Sequence, residues 1–479
     1  MQNNNYSITF GTDGWRGIIG EDYTFANVKL VVSAISNYLN RSPKSGKSVI
    51  IGYDTRFQSA GFASFAANIL SQNGIDVILS DSCVSTPAVS FNTKHCAASL
   101  GLMISASHNP HEFNGLKIKT SEGASAPKTL TGEIELLIGM ETKYISKRSG
   151  KIERRNLSKQ YLAEVKKHVD FNLIKRKKLK IVADPMYGAA IGYLSSIFHN
   201  TSCSVINIHS NPDPMFGGLH PEPIEKYLGD LKQSVKQNGA DAGLATDGDA
   251  DRIGVVDDKG RYLTPHQVFP MILYYLCKYK NMKGKVTQAI SLGYVSERMS
   301  KDFGLEFEEV SIGFKNVAER ICSGQNILLG GEESGGYGYA SYLPERDGIM
   351  NSLVLMEMLA YTKNNMSGIL KEIEKKYGSS AYLRTDFINP GIEKDVFVKS
   401  IKNCLPAKIN GLKIKQIKDF DGIELIFEDD SWLLMRPSGT EPIIRIYCET
   451  PEIGKTRKII AWGESTVKAL RQGPVHDPI

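Results

Sequence analysis

Residues 99–110 read SLGLMISASHNP. The first half of this stretch is short and apolar, which is typical of a strand that is buried in a sheet. Pro110 prevents a helix from continuing and favours an extended conformation at Asn109. The stretch therefore predicts a buried strand that ends in a tight polar loop, where small neighbours leave the hydroxyl of Ser107 accessible beside His108.

Two interpretations of Ser107 are open at this point. A serine at the carboxyl end of an α/β strand, with His108 beside it and Lys117 shortly after it, has the surroundings of an activated nucleophile. A turn built from Ser and Asn before a proline is also common where it has only a structural role. The two interpretations are about equally well supported by the loop. The loop alone does not separate the two.

A second polar stretch, TDGDADR at residues 246–252, favours the nucleophile. Its three alternating carboxylates repel one another unless a cation neutralises them, and hard oxygen ligands suit Mg²⁺ or Ca²⁺. An EF-hand loop is the obvious rival, but Arg252 stands in place of its turn glycine and Asp258 in place of its last glutamate. The stretch predicts a Mg²⁺ that also holds a substrate or phosphate oxygen. The predicted metal ligands are Asp247, Asp249 and Asp251.

Four stretches together resemble the α-D-phosphohexomutase superfamily, which covers phosphoglucomutases, phosphomannomutases and phosphoglucosamine mutases. They lie in the order and spacing of that family and span nearly the whole chain. They are SHNP at 107–110, DGDADR at 247–252, GEESGG at 331–336 and RPSGTEP at 436–442. The resemblance implies that these are, in turn, a phosphoserine loop, a metal loop, a sugar-binding loop and a phosphate-binding loop.

Composition and charge exclude several other classes of protein. The net charge of +6 is small for 479 residues, so it suits anionic substrates without indicating a nucleic-acid groove. The seven cysteines include no CxxC pair, which favours reduced thiols and a cytoplasmic location. No stretch approaches the ~20 apolar residues of a membrane span, and no signal peptide is visible at the start. We therefore expect neither a membrane nor a nucleic-acid partner.

The chain is too long for one hydrophobic core, and its pattern predicts an α/β protein of four domains. Strands alternate with helices in three successive α/β units with mixed sheets, and successive strands then predict an α+β domain with an antiparallel sheet. The resemblance implies the same architecture, arranged around a central active-site cleft. The predicted domains are 1–155 with the phosphoserine loop, 156–262 with the metal loop, 263–374 with the sugar loop and 375–479 with the phosphate loop.

Local patterns add four expectations about the elements. The basic, polar run 146–159 contains the first boundary and is typical of a linker or a helix face. Residues 185–190 are expected to turn into a helix, and a linker is expected near 375–380. The last helix repeats apolar residues that should pack on the sheet. These residues are Ile453, Ile460, Val467 and Leu470.

The resemblance implies a mutase that moves a phosphoryl group between two hydroxyls of one sugar. A phosphorylated Ser107 would donate to a sugar phosphate, and would take back the other phosphate from the bisphosphate that results. Mg²⁺ would bind the three aspartates and an oxygen on Ser107, and glucose 1,6-bisphosphate would act as primer. Arg16, Lys117 and Arg252 would supply positive charge or protons. The family implies Lys117 as general acid/base, but the residues alone do not separate it from His108.

The remaining site residues would bind the substrate. Glu332 and Ser334 would hydrogen-bond sugar hydroxyls, and the Gly-aromatic-Lys turn at 313–315 resembles one that contacts the sugar phosphate in glucose-phosphate mutases. A cluster of Arg, Ser, Gly and Thr near the end of the chain favours a phosphate site over a plain β-turn. The substrate-binding residues are thus Lys315, Glu332, Ser334, Arg436, Ser438, Gly439, Thr440 and Arg445.

The choice of sugar is divided between two members of the family. Gly336 stands where phosphomannomutase/phosphoglucomutase and glucosamine-type relatives usually have histidine, which favours glucose 1-phosphate. The Ser-Ala-Ser spelling at 105–107 is also used by glucosamine-phosphate relatives. We expect glucose to be preferred, mannose accepted and glucosamine poor, with phosphoglucosamine mutase as the alternative.

Two other classes stay open. They are a phosphosugar phosphatase, and a non-catalytic sensor of sugar phosphates or structural Ca²⁺ protein. The partner would be a phosphosugar, and the chain a monomer or homodimer.

Overall fold

The computed structural model describes residues 8–11, 13–41, 47–140, 148–388, 391–438 and 443–471. The chain forms two compact units. The first is bounded by Met1–Leu263 and Phe314–Ser367, and the second by Thr264–Gly313 and Gly368–Ile479. Among the described residues, no helix has both the length and the apolar character needed to cross a bilayer.

Six strands form the first sheet. They are β1 (Trp15–Ile18), β2 (Ser48–Tyr53), β3 (Asp76–Ser80), β4 (Leu100–Ile104), β5 (Phe113–Thr120) and β6 (Ile152–Arg155). Their order is β1-β5-β4-β2-β3-β6. Parallel pairing joins β4, β2, β3 and β6, whereas β5 is antiparallel to both β4 and β1. The first sheet is therefore mixed, as the sequence predicts.

Four helices accompany this sheet. They are α1 (Phe25–Arg41), α2 (Ser59–Gln72), α3 (Thr86–His95) and α4 (Lys128–Glu135). Helices on the sheet cover strands such as β2 and β4, whose side chains are almost entirely buried. Tyr53 at the end of β2 lies opposite Ile104 at the end of β4. The loops that follow these two strands therefore leave the sheet at the same edge.

The second sheet also belongs to the first unit. Its strands are β7 (Lys180–Asp184), β8 (Ser204–Asn207), β9 (Ala242–Thr246), β10 (Ile253–Val256) and β11 (Tyr262–Leu263). Its helices are α5 (Leu157–Val165), α6 (Phe171–Ile174), α7 (Tyr193–Phe198) and α8 (Gly229–Asn238). The strand order is β11-β10-β9-β7-β8, with β8, β7 and β9 parallel. Because β9 and β10 pair antiparallel, the metal loop at 247–252 is the connection of a β-hairpin.

Residues 264–313 contribute an α/β segment to the second unit. Its elements are α9 (Pro265–Tyr274), a π-helical turn (Tyr275–Tyr279), β12 (Lys285–Ala289), α10 (Val295–Asp302) and β13 (Phe307–Val310). β12 and β13 are parallel. This is the strand-helix-strand pattern that the sequence predicts.

Residues 314–367 return the chain to the first unit. The elements there are α11 (Lys315–Cys322), β14 (Ile327–Gly331), β15 (Tyr337–Gly338) and α12 (Gly348–Thr362). β14 and β15 pair antiparallel, so the GEESGG stretch is also a hairpin connection. Asp347 caps α12, because its Oδ1 accepts the backbone N–H groups of Ile349 and Met350.

The last part of the chain is antiparallel throughout. It begins with α13 (Met366–Tyr377) and continues with β16 (Ala381–Ile388), α14 (Lys394–Asn403), β17 (Lys408–Ile409), β18 (Leu412–Lys418), β19 (Ile423–Phe427), β20 (Trp432–Pro437), β21 (Ile443–Thr450) and α15 (Ile453–Arg471). The strand order is β16-β21-β20-β19-β18-β17. Apolar residues of the sheet, α14 and α15 form one core. The α+β character of this region agrees with the prediction, and the expected central cleft stays a prediction.

Four local expectations need correction. The polar run before α5 contains β6, which pairs with β3 because its backbone can extend the sheet edge whatever its side chains are. Residues 185–190 form turns, and the helix starts only at Tyr193. The first half of the linker expected at 375–380 is the end of α13, which leaves three residues before β16. Ile453 is 45% exposed at the start of α15, whereas Ile460 and Val467 are buried.

Candidate active site

Ser107 lies in a strained position just beyond the end of β4. Its side chain is fully buried and not accessible as the sequence predicts, because the metal loop packs against it. Its φ of 54° lies in the left-handed region, which is unfavourable for a residue with a Cβ and is typically retained at functional positions. Its backbone N–H donates to Ser105 Oγ at 2.8 Å, and its own Oγ donates to Asp247 Oδ2 at 2.8 Å. The first and second sheets thus place the predicted nucleophile against the predicted metal loop.

Arg56 fastens the Ser107 loop from the neighbouring strand end. Its guanidinium donates to the carbonyl oxygens of Ser107, at 2.6 Å, and Asn109, at 2.7 Å. It also donates to the carbonyls of Pro110 and Phe113, and its Nε is paired with buried Asp54 at 3.1 Å. One buried side chain therefore donates to four backbone carbonyls, three of them in the tight loop and one at the start of β5. The sequence pattern predicted no role for Arg56.

The three aspartates lie together in the hairpin between β9 and β10. All three are completely buried, and a set of their oxygens lies within 4.8 Å of one another. Gly248 is required between two of them, because a Cβ there would lie 2.5 Å from the carbonyl oxygen of Ser107. Ala250 has a φ of 61°. The loop is therefore tightly wound against the Ser107 loop, and small residues between the carboxylates make this possible.

The charge arrangement fits a divalent cation. Burial and the charges of Asp251 and Asp249 raise the pKa of Asp247 well above its ordinary value. Oδ1 of Asp249 and Oδ1 of Asp251 are buried and have no hydrogen-bond partner in the described part of the chain. Buried carboxylate oxygens without a donor are costly, and an oxygen-preferring cation such as Mg²⁺ would satisfy them. The residues present therefore fit the magnesium site that the sequence predicts.

Lys117 lies against the same carboxylates. It projects from β5 and is 1% exposed, with Nζ 2.7 Å from Asp249 Oδ2 and 3.2 Å from Asp251 Oδ2. Its third partner is Oδ2 of Asp13, also at 2.7 Å. Burial alone would lower the pKa of Lys117, but the three carboxylates outweigh it and raise that pKa above its ordinary value. Lys117 is therefore a protonated donor that Asp13 and two carboxylates of the metal loop hold in place.

The other cationic and polar candidates occupy the rim of this cluster. Nη1 of Arg16 donates to Asn109 Oδ1, and the backbone N–H of Arg252 donates to Asp247 Oδ1 at 3.0 Å. Burial and the neighbouring cations, Arg252 first, hold the pKa of His108 well below its ordinary value. Its buried Nδ1 has no hydrogen-bond partner among the residues described. A neutral His108 can accept or relay a proton but is a poor acid.

The sugar-loop residues of the sequence prediction are in the first unit as well. Glu332 is 5% exposed, and its Oε2 accepts from Arg346 Nη1 at 3.2 Å. Oγ of Ser334 is buried without a hydrogen-bond partner within the described ranges. Lys315 is half-buried in the first turn of α11. The hydroxyl of Ser334 is thus available to a ligand, whereas the carboxylate of Glu332 is held by a neighbouring cation.

The predicted phosphate-binding residues lie in the second unit. Arg436 and Arg445 are directly opposite each other on β20 and β21, an arrangement that is unfavourable for like charges unless anions offset them. Asp421 Oδ1 accepts from Arg436 Nε at 2.9 Å, and Asp386 Oδ2 lies 3.9 Å from Arg445 Nε. Ser438 follows β20 directly. Gly439 and Thr440 lie outside the described residues.

Several residues join the site that the sequence prediction left without a role. Asp13 belongs to the stretch FGTDGWRG at 10–17. It is the one of the three carboxylate partners of Lys117 described above that lies outside the metal loop. Thr86 donates its hydroxyl to Asp249. Lys119, two residues after Lys117 on the same strand face, is buried against Glu345. The signal for Asp13 was a carboxylate three residues before a candidate arginine, but only the strand pairing of β1 with β5 brings it to Lys117.

Comparison with known proteins agrees with this architecture. The four domain models of phosphoglucomutase/phosphomannomutase match the chain one after another. Alpha/beta/alpha domains I, II and III match residues 7–144, 159–260 and 264–377, and the C-terminal domain matches 398–461.

Full-length relatives carry names from within the same group. A phosphoglucomutase/phosphomannomutase of Thermococcus kodakarensis is 30% identical over 97% of this chain and 99% of its own length. A protein of Methanothermobacter thermautotrophicus named "Probable phosphoglucosamine mutase" is 30% identical over 94% of this chain and 95% of its own. The crystal structure of a candidate phosphomannomutase from Thermus thermophilus is 31% identical, covers 96% of this chain and 99% of that one, and superposes with a TM-score of 0.85.

Four consecutive domain models match the chain, and its relatives match over nearly their whole length. The fold, with α/β sheets followed by an antiparallel sheet, agrees with these matches, and the three observations lead to one conclusion. The chain belongs to the phosphoglucomutase/phosphomannomutase family, the isomerases that transfer a phosphoryl group within a hexose phosphate.

Proposed function

We propose that this chain interconverts hexose 1-phosphates and hexose 6-phosphates through a phosphorylated Ser107, with glucose 1-phosphate as its preferred substrate. The observation that carries the proposal is the contact of Ser107 Oγ with Asp247 Oδ2 at 2.8 Å inside a buried cluster of carboxylates and one lysine. A serine that served only as a turn residue would not need a strained backbone and a buried arginine that binds its carbonyl oxygen. Nor would it need neighbouring carboxylate oxygens that have no hydrogen-bond partner among the described residues.

The reaction consists of two phosphoryl transfers in opposite directions. In the first, a hydroxyl of the sugar phosphate attacks the phosphorus on Ser107, so that the new sugar O–P bond forms as the Ser107 Oγ–P bond breaks. The attacking hydroxyl gives up its proton, Ser107 Oγ takes one as it leaves, and the product is a sugar bisphosphate. In the second, Ser107 Oγ gives up its proton and attacks the phosphorus of the other phosphate, so that the Oγ–P bond forms again as that sugar O–P bond breaks. The sugar oxygen takes a proton, and the isomeric monophosphate is released. Transfers of this kind depend on positioning and on neutralisation of charge.

Lys117 is our candidate for the residue that moves the proton: the ammonium group gives a proton to the oxygen that leaves, and the amine that results takes the proton of the hydroxyl that attacks. It has a fixed partner in Asp13, outside the predicted metal ligands, so it stays in place when Asp249 and Asp251 are engaged elsewhere. The neutral His108 lies among cations that would oppose its protonation. We assign Arg16 and Arg252 to the charge that builds up on the transferring group.

Mg²⁺ is the proposed cofactor, held by Asp247, Asp249 and Asp251 together with an oxygen on Ser107. When bound, it neutralises charge on the phosphoryl group as that group is transferred. Glucose 1,6-bisphosphate is the proposed primer, because its phosphate would load Ser107 before the first turnover.

Substrate recognition is divided between two sets of residues in this proposal. Ser334 and Glu332 hydrogen-bond sugar hydroxyls, with Lys315 near the sugar phosphate. The second set binds the phosphate that is not transferred, and the positions of Arg436 and Arg445 directly opposite each other on β20 and β21 support this role. Its proposed members are Arg436, Ser438, Gly439, Thr440 and Arg445.

Glucosamine 1-phosphate is the second candidate substrate, because full-length relatives carry the name phosphoglucosamine mutase. Glucose, mannose and glucosamine differ at C2, and hydrogen bonds to the 3- and 4-hydroxyls would not separate them. We expect a modest preference for glucose, with mannose accepted. The phosphosugar is the one partner that we propose, for a cytoplasmic monomer or homodimer.

A panel of three hexose 1-phosphates tests this proposal. Isomerisation of glucose, mannose and glucosamine 1-phosphates is followed with glucose 1,6-bisphosphate as primer, and kcat/KM is compared. A clear preference for glucosamine 1-phosphate would overturn the glucose assignment and leave the transfer chemistry intact. Net release of inorganic phosphate in place of isomerisation would point to a phosphatase.

A further inference from the structure

Arg346 connects three carboxylates that the site otherwise uses for different purposes. Its Nη2 donates to Asp251 Oδ2 at 2.6 Å and to Asp13 Oδ2 at 3.1 Å, and its Nη1 donates to Glu332 Oε2 at 3.2 Å. These are a predicted metal ligand, the partner of Lys117 and a predicted sugar-binding residue. The side chain is only 7% exposed. A single guanidinium thus joins the sugar loop to the reaction centre.

Arg346 and Lys117 also share their acceptor atoms. Both cations contact Asp13 Oδ2 and Asp251 Oδ2. A displacement of Arg346 would therefore change the surroundings of Lys117 without touching Lys117 itself. Arg346 reaches these acceptors from two nitrogens, Nη1 towards Glu332 and Nη2 towards Asp13 and Asp251, whereas an ammonium group presents all its donors from a single nitrogen.

Gly336 leaves the space that this side chain occupies. A Cβ at position 336 would lie 2.2 Å from Cδ and 2.9 Å from Cγ of Arg346. Three carboxylates fix the far end of the side chain, so Arg346 cannot move aside without breaking those contacts. Gly336 is not among the glycines with positive φ, so its backbone conformation does not by itself require glycine. The close approach of Arg346 is the reason for glycine here.

We propose that Arg346 is a positioning residue that aligns Glu332 with Lys117 and the metal loop, and that Gly336 is a glycine in order to admit it. The inference rests on the proposed function, since it assigns Glu332 to the sugar. It goes further because it makes Gly336, at the end of the sugar loop, and Arg346 depend on each other. A change of both residues should therefore lower activity little more than a change of either one alone.

A double-mutant cycle tests the inference. We expect Arg346→Met to lower kcat/KM for glucose 1-phosphate on the order of 100-fold, as is typical when reacting groups are displaced by about 1 Å. Gly336→Ala should cause a similar loss, because the new methyl group displaces Arg346. The double variant should be about as active as either single one. Losses that multiply would overturn the proposal.

Arg346→Lys keeps the charge and provides a second variant should the Met variant fold poorly. It should lose roughly 10-fold, because its single nitrogen cannot stand in the places of both Nη1 and Nη2. Arg155→Met, on the surface of β6, and Gly132→Ala, where nothing lies within 4 Å of the added Cβ, are the matched controls. Activity of Arg346→Lys and Gly336→Ala equal to that of the controls would contradict the inference.

Calorimetry of Mg²⁺ binding separates positioning from mere structural support. Removal of a cation 2.6 Å from a ligand oxygen should leave Mg²⁺ bound at least as tightly in Arg346→Met, while kcat falls. If the Arg346→Met variant bound Mg²⁺ more weakly and also had a lower Tm, the role of Arg346 would be only to stabilise the metal loop. Wild-type protein that isomerises none of the three sugars would instead refute the proposed function, whereas full turnover in the Arg346 variants would refute only this inference.

Discussion

Asp13 and Lys117 illustrate how single residues divide the work in the site. Lys117 contacts the carboxylates of Asp13, Asp249 and Asp251, and of these three residues Asp13 lies outside the metal loop. We expect Asp13→Asn to lower kcat by about 10²-fold, within the range that general acid–base groups contribute, because the lysine loses its fixed partner. Mg²⁺ affinity should stay within a few-fold of the wild-type value. The measurements are steady-state kinetics and calorimetry.

Asp81→Asn, an exposed change of the same chemistry, is the control for that prediction. An Asp13→Asn variant with the activity of this control would mean that Asp13 does not hold the lysine in a productive place. Loss of Mg²⁺ binding would mean that Asp13 belongs to the metal site after all.

Arg436 offers a second prediction at this scale. Its Nε donates to Asp421, so a bound phosphate would take its donors from the two terminal nitrogens. We expect Arg436→Ala to raise KM more than Arg436→Lys does, because lysine keeps the charge but loses the paired donors. KM and kcat/KM for both variants provide the comparison. Unchanged values in the alanine variant would move the phosphate site elsewhere.

The role of a single residue was predictable from sequence where it belongs to an unusual combination of neighbouring residues. Three alternating aspartates or a serine before His-Asn-Pro carry their own signal, and the fold brings Ser107 and Asp247 into contact. Arg56 and Asp13 lacked such a signal. Arginines and aspartates in glycine-rich loops are common, and what distinguishes these two is contact with residues 51 and 104 positions away.

At the scale of elements, most strands and helices followed from periodicity, and the errors have identifiable causes. β6 was missed because its polar sequence, IERR, pairs through the backbone at the sheet edge. β16 was not expected because exposed and half-buried residues alternate along it without a marked apolar face. Edge strands of this kind are stabilised by hydrogen bonds that a side-chain pattern does not reveal.

The N-terminal cap of α12 gives a prediction about pH. Burial raises the pKa of Asp347 to about 7, well above that of an exposed aspartate. The folded protein therefore keeps a proton there that the unfolded chain releases near pH 4, so this contribution to stability is lost as the pH rises from about 4 to about 7. Asp347→Asn keeps the capping oxygen and does not titrate.

We therefore expect the difference in free energy of unfolding, Asn variant minus wild type, to grow with pH. Its slope should be about 1.4 kcal/mol per pH unit at most, and it should level off above about pH 7. Denaturant melts at pH 5, 6, 7 and 8 measure it. A difference that is constant across this range would show that Asp347 does not titrate in the folded protein.

At the scale of the whole molecule, the four-domain architecture was predictable because it needs only the succession of elements. The domain boundaries themselves stay a prediction, as does the arrangement of the domains around a cleft. Contacts such as the one between Lys119 and Glu345 join positions 226 residues apart, and no local pattern predicts such pairs.

Dependence on a divalent cation is the expected property of the whole enzyme. Chelation should abolish turnover, added Mg²⁺ should restore it, and Mg²⁺ should raise Tm because it binds the folded chain. Asp249→Asn should lose both responses, since it removes one of three carboxylates. Full activity of thoroughly chelated protein would refute the magnesium assignment.

The most direct test of the account is the fate of the phosphoryl group itself. Protein treated with labelled glucose 1,6-bisphosphate is digested, and the label is located by mass spectrometry. We predict one phosphoryl group per chain, on Ser107, which passes to glucose 1-phosphate or glucose 6-phosphate when unlabelled sugar is added; Ser107→Ala should take up none and isomerise nothing. Label on another residue, or isomerisation by Ser107→Ala at the wild-type rate, would contradict the central claim.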